Sequence, residues 1–188
     1  MAWFCKEETS EAEDAWDDYV RASNTYSKAR RVLFETDPLP AVRKALNGGG
    51  DLFAALHLLK DVGWDRPELV QAVVPELYAC SLSLGPPGIF ARLVLRRLSG
   101  SGHAYAEALH AGLAPLTAAT LREEVTDVFA MRALAMLLDD VGALGLLGQW
   151  REAARASPDV DVQELAEDYG EDEHPEPPAP PAAPLRGA

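Results

Sequence analysis

Apolar residues recur every three or four positions along most of the chain, and this spacing predicts amphipathic helices. A capping box from Ser10 to Glu13 begins the first helix, whose apolar positions include Trp16, Tyr26 and Leu33. That helix is predicted to run for about six turns and to end before the prolines that follow it. Alternating runs of Val, Ile and Thr are absent, so the pattern favours an all-helical fold.

Prolines and glycines divide this pattern into eight or nine helices with short connections. Pro75 is expected to kink or split the helix over residues 65–84, and the sequence GPPG at 85–88 is a firm break. The next run, residues 89–98, is apolar on most sides, which is typical of a helix at the centre of a bundle. A second capping box, beginning at Thr120, predicts the start of a long helix.

Composition adds limits on organisation and partners. A chain of 188 residues with 48% hydrophobic residues can form one domain, which we place at residues 1–169. Residues 170–188 are acidic and rich in proline and alanine, so we expect a disordered tail. A net charge of −13 argues against nucleic acid or anionic membranes as partners. No apolar run reaches the roughly 18 residues of a transmembrane anchor, and two cysteines fit a reducing compartment.

The residue types that carry catalysis do not form a known motif. The four histidines form no metal-binding pattern, and the glycine-rich stretch at 48–50 is not followed by the Lys and Ser or Thr of a phosphate-binding loop. Asp139 and Asp140 are adjacent, which would point them about 100° apart on a helix. We therefore expect no catalytic, cofactor or metal site, and a protein that is not an enzyme.

The glycine-rich stretch lies within a pattern that could belong to one helix. Val42, Leu46 and Phe53 are spaced to share a face, with small residues where another helix could approach and an Asp beside them. This pattern resembles the third homology motif of the Bcl-2 family, Leu-x-x-x-Gly-Asp followed by a large apolar residue. The residues of the motif are Val42, Leu46, Gly49, Gly50, Asp51 and Phe53.

Two further regions resemble the same family, in the family's order. Residues 73–98 are similar to its first homology region, with a turn at Gly85, Pro87 and Gly88 before the central helix. Gly148 and Trp150 are similar to the Gly-Gly-Trp of the second region, near a helix start. Within the family, the run Gly50-Asp51-Leu52-Phe53 followed by Leu56, the turn Pro87-Gly88 and the sequence DVFAM at 127–131 resemble the small T antigens of adenoviruses. That resemblance covers residues 10–155, and it implies an early-region apoptosis inhibitor with an acidic tail and no membrane anchor.

The resemblance implies a Bcl-2-like bundle that inhibits host apoptosis by binding protein partners. Such a bundle captures the death-motif helices of Bak, Bax or their activators in an apolar groove and so prevents mitochondrial pore formation. It also implies a location in the host cytoplasm, with recruitment to mitochondria or the nuclear envelope. Cellular relatives carry an Arg just before the central helix, for which Arg92 is the nearest substitute here. The groove candidates are Phe53, Leu56, Leu77, Tyr78, Phe90 and Arg92.

A second interpretation rests on a repeated sequence. LLKDVG at 58–63 recurs as LLDDVG at 137–142, a separation close to two helical repeats of about 40 residues each. This spacing favours a HEAT-like α-solenoid, serving as a scaffold or as an immunity-type module that binds a protein partner on a concave face.

Overall fold

The computed structural model describes residues 5–63 and 65–169, with side chains from residue 11 onward. Over these ranges the chain forms ten α-helices and one π-helical turn and contains no strand, so the all-helical prediction is confirmed. The helices are α1 (Cys5–Phe34), α2 (Leu39–Lys44), α3 (Leu52–Val62), α4 (Pro67–Gln71), α5 (Val74–Ser81), α6 (Pro86–Ser99), α7 (His103–Glu123), α8 (Val128–Asp140), α9 (Leu144–Arg155) and α10 (Val160–Asp168), and the π turn is Ala45–Gly49.

Helix α6 has the central position that its apolar sequence predicts. It contacts α3, α4, α5, α7 and α8, and Val94, Leu95 and Leu98 on its inner face are buried. It is not buried on every side, because Ile89 and Arg96 face solvent. A helix in contact with five others is typical of a globular bundle, whereas a solenoid helix contacts only the helices of adjacent repeats.

The helix boundaries confirm one predicted break and correct one predicted start. Pro75 lies in the first turn of α5, so the helix predicted over 65–84 is split between Gln71 and Val74. Thr120 does not begin a helix; it is buried in the last turn of α7. Asp127 caps α8 instead, because its carboxylate accepts the backbone N–H groups of the helix's first turn at 2.8 and 3.0 Å.

Helix α1 differs from the others in how little of it is buried. It begins at Cys5, before the predicted capping box, and every residue from 11 to 32 is exposed. Its contacts with the body lie in its second half, where the Tyr26 hydroxyl donates to the Asp61 carboxylate at 3.0 Å and where Leu33 and Phe34 pack against the core. The guanidinium of Arg66 lies 4.7 Å from the centre of the Phe34 ring. The apolar face of α1 that the sequence predicted therefore remains largely open to solvent.

The predicted disordered tail, residues 170–188, lies outside the described residues. Within the described part of the chain, no helix is both long enough and apolar enough to cross a membrane.

Candidate partner-binding site

The glycine-rich stretch is a break between two helices, which corrects the prediction of a single motif helix. The backbone leaves helical geometry in the π turn, where Gly48 has φ 81°, and Gly50 is extended. Glycine has no Cβ and adopts such conformations at little steric cost. Asp51 then caps α3 by accepting the backbone N–H of Ala54 at 3.0 Å. The Gly-Asp pair thus ends one helix segment and begins the next.

Because of this break, the motif residues do not share one helix face. Val42 and Leu46 are buried in the core, whereas Phe53, at the start of α3, is 42% exposed. Gly49 and Gly50 lie on the exposed surface of the connection.

An apolar cleft lies beside this break, between the second half of α1 and the helices α2 and α3. Its volume is about 510 Å³. Several alanines form its walls, so the cleft has room for larger side chains from a partner. Arg30 is the cation among the lining residues and Asp51 is the anion. The cleft is lined by Tyr26, Ala29, Arg30, Leu33, Ala41, Val42, Ala45, Gly50, Asp51, Ala54, Ala55 and Leu58.

Three of the predicted groove residues belong to the protein's own core, which corrects their assignment to a partner surface. Leu56 and Leu77 are fully buried. Tyr78 is also buried, and its hydroxyl shares a hydrogen bond of 2.7 Å with the hydroxyl of Thr120. Burial raises the pKa of the Tyr78 hydroxyl. These side chains stabilise the packing around α5 and are not accessible to a partner in this structure.

Arg92 is likewise not available to a partner's carboxylate, since only 3% of the residue is exposed. Its guanidinium donates hydrogen bonds to the backbone carbonyls of Ser81 at 2.7 Å and Ser83 at 3.1 Å. Its Nε lies 3.8 Å from a carboxylate oxygen of Asp140. Burial lowers the pKa of the Arg92 guanidinium, against the opposing effect of Asp140. Arg92 therefore holds the connection between α5 and α6 in place.

The turn before α6 shows why glycine and proline occur there. Gly85 precedes the helix, and Pro87 lies in its first turn, where no intrahelical N–H is needed. A Cβ at Gly88 would lie 1.7 Å from the carbonyl oxygen of Ser83, so that position has no space for a side chain. This turn is a tightly packed corner of the core.

Phe53 and Phe90 are the predicted groove residues that remain accessible and lie together. Their rings meet edge to face with centres 6.2 Å apart. The His57 ring is 4.8 Å from that of Phe90, and Lys60 Nζ is 5.8 Å from its centre. Phe53, His57 and Lys60 recur at helical spacing on one face of α3, which meets Phe90 of α6. The cleft-lining Ala54 and Leu58 lie on a different face of α3.

Gly148 and Trp150 lie in the second turn of α9. Trp150 is fully buried, and its indole N–H donates to the Met131 carbonyl at 3.0 Å. Its ring packs against Tyr169 with centres 5.4 Å apart. Trp150 therefore joins α8, α9 and the end of α10, while no heavy atom lies within 4 Å of a Cβ built at Gly148.

The part of the cleft that α1 supplies was not predicted. Arg30 and Ala29 were not among the candidate residues, because the periodicity of α1 marks an apolar face without showing which helices lie against it. Comparisons of the chain with protein-family models, with curated proteins and with solved structures find no significant match.

Proposed function

We propose that this protein is a viral inhibitor of host apoptosis that binds the death-motif helices of Bak, Bax or their activators. The observation that carries the proposal is the apolar cleft between α1, α2 and α3, which is bordered by Val42, Gly50 and Asp51 of the Bcl-2-like motif. Amphipathic helices bind such grooves by inserting apolar residues spaced three or four positions apart. The alanines of the cleft leave space for those residues.

The cleft carries one cation and one anion, which would pair with a partner helix that has both acidic and basic side chains. Arg30 is positioned to pair with a partner's carboxylate, the role for which Arg92 is too deeply buried. Asp51 offers its remaining lone pairs to a cation, since one of its oxygens already accepts the N–H of Ala54. Binding would deny the partner helix to the pore-forming assembly, and no chemical step is required.

Fluorescence anisotropy with labelled death-motif helices of Bak, Bax and an activator tests this proposal on the full chain. Ala54→Trp should fill the cleft from an exposed position and weaken binding at least tenfold. Ala104→Trp, on the exposed first turn of α7, is the matched control and should bind normally. Phe53→Ala tests the aromatic pair. If Phe53→Ala abolishes binding and Ala54→Trp does not, the partner helix binds at the Phe53 face of α3 and not in the cleft.

The alternative function, a HEAT-like α-solenoid scaffold or immunity-type binding module, has one observation in its favour. One copy of the repeated sequence, 58–63, covers the end of α3, and the other, 137–142, covers the end of α8. The second leucine of each copy, Leu59 and Leu138 respectively, is fully buried. Small-angle scattering distinguishes the two, because a solenoid is elongated in solution. An absence of helix binding combined with an elongated particle would favour the scaffold.

A further inference from the structure

Helix α1 carries an apolar seam that the rest of the molecule covers only at one end. The seam residues are separated by alternating steps of four and three positions, which is the heptad spacing of a coiled coil. Tyr19, near the middle of the seam, is 63% exposed. The seam consists of Ala15, Tyr19, Ala22, Tyr26, Ala29 and Leu33.

A helix with an open apolar face gains stability when that face packs against another surface. Most helical stability in proteins comes from burying such a face. Here the half of the seam from Tyr26 to Leu33 lines the cleft, whereas Trp16 and Tyr19 extend the same face into solvent. The seam thus presents an apolar face next to an apolar cleft.

Charge along α1 indicates what covers this seam. Residues 11–20 contain five carboxylates and no cation, whereas residues 21–34 contain four cations and no carboxylate. A second α1 running antiparallel would place its acidic half beside the basic half of the first. A parallel pair would place like charges together, which is unfavourable.

The sizes of the seam residues complement each other in the same antiparallel orientation. When Ala22 faces the second copy's Tyr26, Tyr19 faces Ala29 and Ala15 faces Leu33, so each large residue opposes an alanine. In this register Trp16 comes near the second copy's Arg30, a favourable position for a cation–π contact. Residues 15–19 of one copy then lie beside residues 29–33 of the other, which border the cleft.

We propose that this chain forms a two-fold symmetric dimer in which the two α1 helices pair antiparallel. In it, Trp16 and Tyr19 of each copy enter the cleft of the other. The inference goes beyond the proposed function and does not depend on it. Because both use one cleft, a bound partner helix and the second copy exclude one another.

Sedimentation velocity of the full chain from about 1 to 200 µM tests the dimer. Asp17→Arg with Asp18→Arg places cations opposite Arg30 and Arg31 of the second copy, and Arg30→Asp with Arg31→Asp places carboxylates opposite its Asp17 and Asp18. Each double variant should raise the dimer dissociation constant at least tenfold, and an equimolar mixture of the two should restore association as a heterodimer. Neither change should weaken a parallel pair, in which like charges already face each other.

Two controls separate association from folding. Glu123→Arg with Glu124→Arg makes the same change in net charge as the Asp17 and Asp18 double variant, at exposed positions on α7 and the residue after it, and should leave the dimer intact. Tyr19→Ser should weaken the dimer without lowering the melting temperature measured by circular dichroism at low concentration, since Tyr19 is exposed in the single chain. A wild-type chain that is monomeric throughout, charge variants that associate normally, or a mixture that does not recover would each overturn the proposal.

Discussion

Among the helix connections that depend on glycine, two need it for different reasons. Between α5 and α6, a side chain at Gly88 would collide with the Ser83 carbonyl, so glycine supplies space. Between α2 and α3, no heavy atom lies within 4 Å of a Cβ built at Gly48, but φ is 81°, so glycine supplies a backbone conformation. The first connection is tightly packed, whereas the second is open.

This difference separates a stabilising corner from a surface that can bind. The α5–α6 corner contains a buried cation, Arg92, whose hydrogen bonds to Ser81 and Ser83 hold the backbone in place. The α2–α3 connection is exposed from Asn47 to Asp51 and borders the apolar cleft. Substitutions at the corner should therefore affect folding, and a substitution at Gly48 in the open connection should have a smaller effect on stability.

Gly88→Ala should have the largest effect, because it places a methyl group where the Ser83 carbonyl lies. The turn would have to move and break the hydrogen bond from Arg92, so we expect a loss of about 3 kcal/mol or more in the free energy of unfolding. Urea unfolding followed by circular dichroism measures this loss. Gly85→Ala, where the nearest atom would be 3.5 Å away, is the control, and an equal loss in both would contradict a steric cause.

Arg92→Leu should have the next largest effect. It leaves the Ser81 and Ser83 carbonyls without their donor, and an unsatisfied buried group costs about 1–3 kcal/mol. The same unfolding measurement applies. Arg96→Leu, at an exposed position in the same helix, should change stability by less than about 0.5 kcal/mol. An Arg92 variant as stable as the wild type would show that the guanidinium does not hold the corner.

Gly48→Ala should have the smallest effect, a loss of about 1 kcal/mol, because the space is open and the cost lies in the left-handed backbone. Gly48→Asn should cost less, since asparagine tolerates this conformation better than alanine. Thermal unfolding of the two variants side by side measures the order. Equal losses would mean that backbone conformation is not what glycine supplies there.

Much of the helical arrangement followed from local sequence patterns. The break at Pro75 was predicted because proline removes a backbone donor and fixes φ wherever it occurs. The break predicted at residues 85–88 lies slightly earlier, since Pro86, Pro87 and Gly88 already form the first turn of α6. The central position of α6 was predicted because a helix with few polar positions must be covered by others. These features depend on residue types and spacing over a few turns.

The candidate site was harder to predict, because periodicity marks an apolar face without saying what covers it. The family resemblance implied that Leu77 and Tyr78 line a groove, yet neighbouring helices bury both. Tyr19 and Tyr26 had the spacing of core residues, yet both are exposed. Arg92 was chosen as a charge for a partner, but the carbonyls that it binds are brought to it by the turn.

The sequence by itself determined an all-helical chain, the positions of several of its breaks and the helix that lies at its centre. These follow from backbone sterics and from the need to bury apolar residues, which act locally. Only the tertiary structure decided that the Gly-Asp pair separates two helices, that Arg92 is enclosed, and that α1 leaves its apolar seam beside a cleft. Burial depends on which helices meet, and that is set by packing between segments far apart in the chain.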